Sequence, residues 1–209
     1  MFNFDIVSLL AGLPALIIAI VGHEYAHARV ATWLGDPTPR AAGRLTLNPM
    51  AHLDPFGVLA LFLVGFGWAK PVPVNIGYFR DRRTDELLVA LAGPGSNILM
   101  AFIAYIVLVI VEIVAYGVVP DVMRQIIYLI VLYNVNFAIF NMLPIPPLDG
   151  STIITAFLPW TVRIQLYRLS WISLIVFILL LNSPILRTIL YPLQRTILGG
   201  FQMVVQLFL

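Results

Sequence analysis

Three residues in the stretch Gly22-His23-Glu24-Tyr25-Ala26-His27 have the types and the spacing needed for metal chemistry. His23 and His27 are four positions apart, so on a helix both imidazole rings lie on one face and can reach the same ion. Glu24 is one position along and points to the neighbouring side. The stretch directly follows LLAGLPALIIAIV, where burying polar groups without partners is costly. A shared metal ion would offset that cost.

A zinc ion held by two imidazoles needs a third protein ligand, usually a carboxylate, and keeps its fourth position for water. Zinc lowers the pKa of that water to about 7, so Glu24 can accept its proton, and the chemistry indicated is peptide hydrolysis. HExxH is a short pattern, and the alternative is an interfacial helix end with solvated polar residues. Three polar residues in one turn of an apolar helix favour the metal.

The third ligand has few candidates, because the chain has no cysteine and only His, Asp and Glu side chains remain. Seven of its 10 acidic residues are predicted at the opposite membrane face or as flanking and capping residues of helices: Asp5, Glu112, Asp121, Asp36, Asp81, Asp85 and Glu86. Apart from Glu24 itself, Asp54 and Asp149 remain. Asp149 lies in NMLPIPPLDG, where three prolines stop a helix and Gly150 permits a sharp turn, as a fixed ligand requires.

Composition places these residues in a membrane. Of the 209 residues, 61% are hydrophobic and 11% are charged, whereas a soluble domain has roughly 45–50% apolar and about 25% charged residues. We therefore predict an all-α membrane protein, a polytopic bundle of transmembrane helices forming one domain over 1–209, with a catalytic core at about 6–160. The pI of 9.1 reflects a few arginines among few charges, so nucleic acid is not an expected partner.

Runs of about 20 apolar residues mark four candidate transmembrane helices, at 6–33, 86–116, 122–143 and 164–182. The N-terminus lacks a basic region and a cleavage signal, so the first run is predicted to be a retained helix. A shorter apolar piece at 56–68 is predicted to dip into the bilayer and return, within a small membrane-associated β/re-entrant region. The tail 184–209 either spans the membrane or lies on its outer surface.

The distribution of positive charge orients the bundle. Seven of the 12 basic residues lie near the end of the first long helix or between it and the second, and they predict a cytoplasmic location for that region: Arg29, Arg40, Arg44, Lys70, Arg80, Arg82 and Arg83. With this topology, the HEYAH end of the first helix and the LDG end of the 122–143 helix arrive at the same face and depth. The two motifs can therefore meet, toward the cytoplasmic side of what is expected to be a prokaryotic plasma membrane.

The two motifs together resemble the site-2 proteases, a family of intramembrane zinc metalloproteases marked by HExxH and a distant N-x-x-P-x-x-x-LDG. The second motif matches through Asn141, Pro144, Leu148, Asp149 and Gly150. The stretches GRLTLNPMAHLDPFG, GWAKPVPVN and LAGPGSN are also similar to compact bacterial and archaeal members. The resemblance covers about residues 15–160. The chain has no room for an inserted PDZ or CBS domain and looks like a minimal catalytic core.

The resemblance implies a role for each motif residue. His23, His27 and Asp149 would bind one Zn²⁺ per chain, Glu24 would be the general base, and Asn141 would hold substrate or the developing oxyanion. The partner would be the transmembrane or juxtamembrane segment of another membrane protein in the lipid bilayer.

Several other polar residues each allow two interpretations of their role. Asn134 shares a helix face with Asn141 and either contacts substrate or bridges helices. Asn97, in GPGSN, likewise either contacts substrate or belongs to a close helix contact. His52 is either a further ligand or proton shuttle or, together with Asp54, organises the turn before 56–68. The segment 67–80, which includes Asn75, alternates Pro and Val as an edge strand would, and could receive an unwound substrate by β-augmentation.

Two other classes of function compete with a protease. A membrane cation or proton carrier would place polar residues through the whole bilayer depth, but here they cluster at one side. A catalytically inactive scaffold of the same fold would be expected to lack Glu24, which is present. We therefore expect a zinc-dependent intramembrane endopeptidase.

Overall fold

Helices dominate the computed structural model, which describes residues 6–64, 67–114, 117–168, 179 and 183–208. The helices are α1 (Ile6–Trp33), α2 (Thr38–Ala41), α3 (Pro55–Val64), α4 (Arg82–Val114), α5 (Asp121–Asn141), α6 (Asp149–Thr155), α7 (Trp160–Arg168) and α8 (Pro184–Gln206), with short 3₁₀ turns at Pro49–Ala51 and Ile76–Tyr78. The prediction of an all-helical bundle is confirmed for the described residues. The predicted helix 164–182 begins within α7, and most of it lies outside them.

The helices α1, α4 and α5 pack together and form the centre of the bundle. Small residues line α1 where it meets its neighbours, since Ala15, Ala19, Ala28 and Ala31 are all fully buried. Gly22 allows an equally close contact, because a Cβ at this position would lie 2.4 Å from the Met100 methyl carbon. Close approach through small residues is the usual way in which helices associate within a bilayer.

The outer face of α4 is an apolar stripe. Its side chains recur every three or four positions and are about half exposed: Leu99, Ile103, Val107, Ile110 and Ile113. Such a stripe is unfavourable in water and is expected of a helix that faces lipid. By length and composition, α4 and α5 are both able to cross a membrane. They match two of the predicted spans to within a few residues.

The apolar piece at 56–68 begins and ends at the same place in the fold. Leu53 and Ala69 form an antiparallel β-bridge, and the Lys70 N–H donates to the His52 carbonyl oxygen at 2.8 Å. Between them, α3 has 10 residues and rises about 15 Å, half of a hydrocarbon core. The predicted β structure is not shown, because this bridge is isolated and the described part of the chain contains no strand.

The tail, whose placement the sequence left open, packs along the bundle as α8. Near its start, Leu186 contacts a cluster with Leu143 and Leu148 just beyond the end of α5. Further along, the Phe201 ring lies 5.1 Å from that of Phe102 and 5.9 Å from that of Tyr105, between centroids. The helix therefore runs antiparallel to α5, beginning at the end of the bundle where α5 stops.

Candidate metal centre

Three potential ligand atoms from two distant parts of the chain lie within 3.3 Å of one another. The Nε2 atoms of His23 and His27, one turn apart on α1, are separated by 3.0 Å. Asp149 Oδ2, at the start of α6, lies 3.1 Å from His23 Nε2 and 3.3 Å from His27 Nε2. Among the residues described, these three form the one group of histidine and carboxylate side chains arranged to hold a metal ion. Asp54 is not part of it.

The hydrogen bonds behind the two rings determine which nitrogens face the centre of this triangle. His27 Nδ1 lies 2.7 Å from the Val89 carbonyl oxygen, which can only accept, so Nδ1 carries the proton. His23 Nδ1 lies 2.7 Å from Asn97 Oδ1, which is also an acceptor. Both Nε2 atoms therefore present lone pairs. This arrangement is the one by which metal-ligating histidines are oriented.

Two imidazole lone pairs and a carboxylate oxygen would repel one another without a cation between them. Asp149 Oδ2 is buried and accepts no hydrogen bond from the described residues. Tetrahedral zinc with ligand distances of about 2.0–2.1 Å requires ligand atoms about 3.3–3.4 Å apart. The observed separations of 3.0–3.3 Å are close to that value. The donor set and its spacing therefore fit zinc.

The charge state of Asp149 also suits a ligand. In the metal-free state a proton on an imidazole takes the place of the cation: burial raises the pKa of the Asp149 carboxyl group, but the neighbouring His23 and His27 side chains outweigh burial and lower it to about 2. The carboxyl group is therefore ionised near neutral pH, which is the form that binds metals.

Two glycines permit the close contacts on which the centre depends. A Cβ on Gly93 would lie 2.4 Å from His27 Nε2 and 2.7 Å from His23 Nε2. A Cβ on Gly150 would lie 2.3 Å from the Met142 carbonyl oxygen at the end of α5. The backbone of α4 thus lies directly against the imidazoles, and α6 starts directly against α5. Sequence reasoning gave Gly93 only a helix-packing role and missed its contact with the ligands.

The structure places Asn97 and Asn134 in a network that bridges helices, which is one of the two interpretations given for each, and their contact with substrate stays a prediction. Both are fully buried behind His23. The Asn97 amide donates to the Ala19 carbonyl oxygen and to Asn134 Oδ1, each at 2.9 Å, while its own oxygen accepts from His23. Asn134 in turn donates to the Ile130 carbonyl oxygen at 2.8 Å. This network joins α1, α4 and α5 and holds the His23 ring in place.

Comparison with known proteins also indicates zinc-dependent peptide hydrolysis. The sequence model of peptidase family M50 matches residues 110–183. The chain is 39% identical over 198 residues to a Bacillus subtilis protein named "Putative zinc metalloprotease YwhC", covering 92% of this chain and 88% of that protein. The chain belongs to peptidase family M50.

Other relatives support this membership. A Mycolicibacterium smegmatis protein named "Putative zinc metalloprotease Rip2" is 28% identical over 88% of this M50 chain and 74% of its own length. A Methanocaldococcus jannaschii protein named "Putative zinc metalloprotease MJ0611" is 29% identical over 73% of each chain. No solved structure matches significantly. The resemblance to site-2 proteases is confirmed.

The centre of this M50 chain opens into a cavity of about 500 Å³. Glu24 lies in its wall beside the two histidines, and Glu24 Oε2 accepts a hydrogen bond of 3.2 Å from the Val72 N–H. Asn141 also lines the cavity, and its amide donates to the Phe137 carbonyl oxygen at 2.9 Å. The structure thus brings Glu24 and Asn141 to the same space as the three predicted ligands. The role of Asn141 in binding substrate stays a prediction.

His52 and Asp54 hold the turn before α3. This is one of the two roles that the sequence suggested for them. His52 is fully buried, and its Nε2–H donates to the Thr46 carbonyl oxygen at 2.7 Å. Asp54 Oδ1 accepts from the Phe56 and Gly57 N–H groups, each at 2.9 Å. The Asp54 bonds stabilise the first turn of α3, and the His52 bond holds the loop that precedes it. Neither residue belongs to the metal centre.

Asn75 has a capping role in the structure. Its side-chain oxygen accepts from the Gly77 N–H at 2.9 Å, and its own N–H donates to the buried Asp36 carboxylate at 2.7 Å. Its neighbours Val74 and Ile76 line the cavity instead. Contact between Asn75 and substrate stays a prediction.

Replacing Asp149 with alanine is expected to lower the zinc content of the purified protein well below one ion per chain. Two imidazoles alone lack the third ligand that zinc sites in proteins use. Metal analysis of the protein in detergent measures the content, and Asp121→Ala, which removes an exposed carboxylate at the other end of the bundle, is the matched control. Full zinc occupancy in the Asp149 variant would exclude this residue as a ligand.

Proposed function

We propose that the chain is a zinc-dependent endopeptidase that hydrolyses peptide bonds in or near transmembrane segments of other membrane proteins. The observation that carries the proposal is the triangle formed by His23, His27 and Asp149, with Glu24 beside it in one cavity. Family membership and the lipid-facing stripe of α4 support the same function. Acidic and basic residues also lie at the far end of α4 and α5, where they pair with one another. They do not extend the polar cluster around the metal centre through the bundle, as a cation or proton carrier would require.

In this proposal each residue of the site has a distinct role. His23, His27 and Asp149 hold the zinc, which polarises water and the substrate carbonyl group when bound. Glu24 accepts the proton of the attacking water and returns it to the departing amine. The Val72 N–H fixes one oxygen of Glu24 and leaves the other for this transfer. The Asn141 amide would donate to the oxyanion as the carbonyl becomes tetrahedral.

We also propose that the bundle is multi-pass and holds the centre toward the cytoplasmic side. The basic residues between α1 and α4 favour that side by the positive-inside rule. The hairpin made by α3 would enter the membrane and return without crossing it, since its two ends lie together. The substrate would then be cut near the cytoplasmic boundary of the hydrocarbon.

Removal of the metal tests the function directly. The purified protein in lipid vesicles should cleave a fluorogenic peptide that has one apolar transmembrane segment. A chelator should abolish cleavage, and stoichiometric Zn²⁺ should restore it, because metal ligands hold the ion reversibly. Product formation is followed by fluorescence and mass spectrometry. Cleavage that persists after complete zinc removal would contradict the proposal.

The segment 71–76 is a suitable edge for an unwound substrate. Val72, Val74 and Ile76 line the cavity, while the alternate residues Pro73 and Asn75 are exposed, as in an extended chain. Within the described part of the chain, the Val74 N–H donates no hydrogen bond. It is thus available to pair with a substrate backbone by β-augmentation.

Val74→Pro should change the choice of cleavage site and slow cleavage by about tenfold, the size expected from one backbone hydrogen bond. The variant removes the Val74 N–H, whereas the control Val74→Thr keeps both the N–H and the branched shape. Mass spectrometry of the products from the same transmembrane peptide gives both the rate and the sites. An unchanged product pattern for the proline variant would count against pairing at this edge.

A further inference from the structure

The cavity contains a buried ion pair that the metal chemistry does not use. Glu86, in the second turn of α4, accepts a hydrogen bond from the Arg163 guanidinium on α7. Both residues line the cavity, and both are about nine-tenths buried. The sequence had placed Glu86 among the helix-flanking residues, so its position here is a correction. A buried pair of this kind is weak evidence for stability, because desolvation of the two charges offsets their attraction.

The pair lies close to the metal centre. Glu86 precedes Val89 by three residues, about one helical turn, and the Val89 carbonyl oxygen orients His27. One carboxylate oxygen of Glu86 binds Arg163, while the other, Oε2, is buried and accepts no hydrogen bond from the described residues. The cavity wall therefore has a strong acceptor without a donor, near the point where a substrate's peptide bond must be placed.

A substrate would supply the missing donor. An extended peptide has N–H and C=O groups on both of its edges, and segment 71–76 can pair with only one edge. In a membrane, the groups on the other edge must also be satisfied. We propose that the Glu86–Arg163 pair binds the backbone of the unwound substrate, with Glu86 Oε2 accepting a peptide N–H. This inference rests on the proposed function and adds a second polar wall to the substrate site.

The sharpest test removes both charges together. In Glu86→Met/Arg163→Met, two flexible apolar side chains fill the space, and such replacements of a buried pair usually preserve folding. The matched control is Glu112→Met/Arg124→Met, which removes a cross-helix pair at the other end of α4 and α5. All proteins are studied at full length in lipid vesicles, and zinc content is measured to show that the centre is intact.

With the fluorogenic transmembrane peptide, the Glu86→Met/Arg163→Met protein should retain zinc and show a KM raised about tenfold to a hundredfold, the range for hydrogen bonds to charged groups. The kcat should change much less. The same loss of affinity should appear when peptide binding is measured in the Glu24→Gln background, where cleavage is expected to be too slow to disturb the measurement. Peptides that carry either an acidic or a basic flanking residue should be affected equally, because the contact is with backbone.

An unchanged KM and an unchanged binding affinity in this double variant would overturn the inference, and the pair would then be structural. A loss confined to peptides with one sign of flanking charge would also overturn it, in favour of side-chain selection. The proposed function fails separately, if the wild-type protein does not cleave the peptide in a zinc-dependent way. Binding in the Glu24→Gln background still decides the role of the pair in that case.

Discussion

Replacing Glu24 with glutamine should lower the cleavage rate by about 10²–10⁴-fold, the contribution typical of a positioned general base. Glutamine keeps the size of the side chain and can accept the Val72 N–H bond, but it cannot take a proton from water. Zinc content should stay at the wild-type value, because Glu24 is not one of the three ligands. Single-turnover cleavage of the transmembrane peptide in vesicles, with metal analysis of the same preparation, measures both quantities.

The matched control for this variant is Glu112→Gln, which makes the same chemical change on α4 near the far end of the bundle. It should cleave at the wild-type rate. A Glu24→Gln protein that retains zinc and also cleaves at the wild-type rate would show that another group serves as the base. Loss of zinc together with activity would instead indicate a structural role for Glu24 in the centre.

Gly93→Ala should reduce zinc affinity by at least about tenfold, the lower end of the effects seen when groups around metal ligands are disturbed. The new methyl group would lie 2.4 Å from His27 Nε2, and the ring cannot easily move because Val89 holds its other nitrogen. Gly95→Ala is a closely matched control, since a Cβ at Gly95 meets no atom within 4 Å. Competition with a fluorescent zinc chelator measures the affinity of each variant.

The comparison between these two alanine variants separates the effect on the metal centre from the effect on helix stability. Both changes improve helix propensity by a similar amount, so any difference between the two variants in the thermal unfolding of the metal-free proteins reflects the contact of the new methyl group with the imidazole rings. If Gly93→Ala binds zinc as tightly as Gly95→Ala does, the backbone of α4 does not limit the space around the imidazoles. The backbone at Gly93 would then have to lie farther from the imidazole rings in solution than it does in the structure.

The metal centre could be predicted because its candidate ligands lie in two short stretches of sequence with recognisable spacing. His23 and His27 are one helical turn apart, and the prolines before Asp149 mark a turn that fixes a side chain. The meeting of the two stretches followed from the inferred orientation of the helices. The structure brings the three predicted ligand residues together and places Glu24 and Asn141 in the wall of the same cavity.

The residues that surround the ligands could not be predicted in the same way. The contact of Gly93 with both rings, and the bond from Asn97 to His23, depend on the rotation of α4 relative to α1. Sequence periodicity determines the direction of a helix's apolar face only to within a wide angle. That angle is too wide to decide which residue of α4 contacts an imidazole ring. The pairing of Glu86 with Arg163 likewise depends on the position of α7, and a charged residue near a helix start ordinarily indicates a solvated or capping position.

The ligands of the centre are divided along the chain in a way that bears on biosynthesis. His23 and His27 belong to α1, but Asp149 follows only after α4 and α5 have been synthesised. A nascent polypeptide that ends before α6 therefore has two imidazoles without the carboxylate and cannot retain the ion. In the proposed function, hydrolysis would therefore become possible only after α6 has been synthesised, and a nascent chain that ends earlier would not cleave neighbouring membrane proteins or itself.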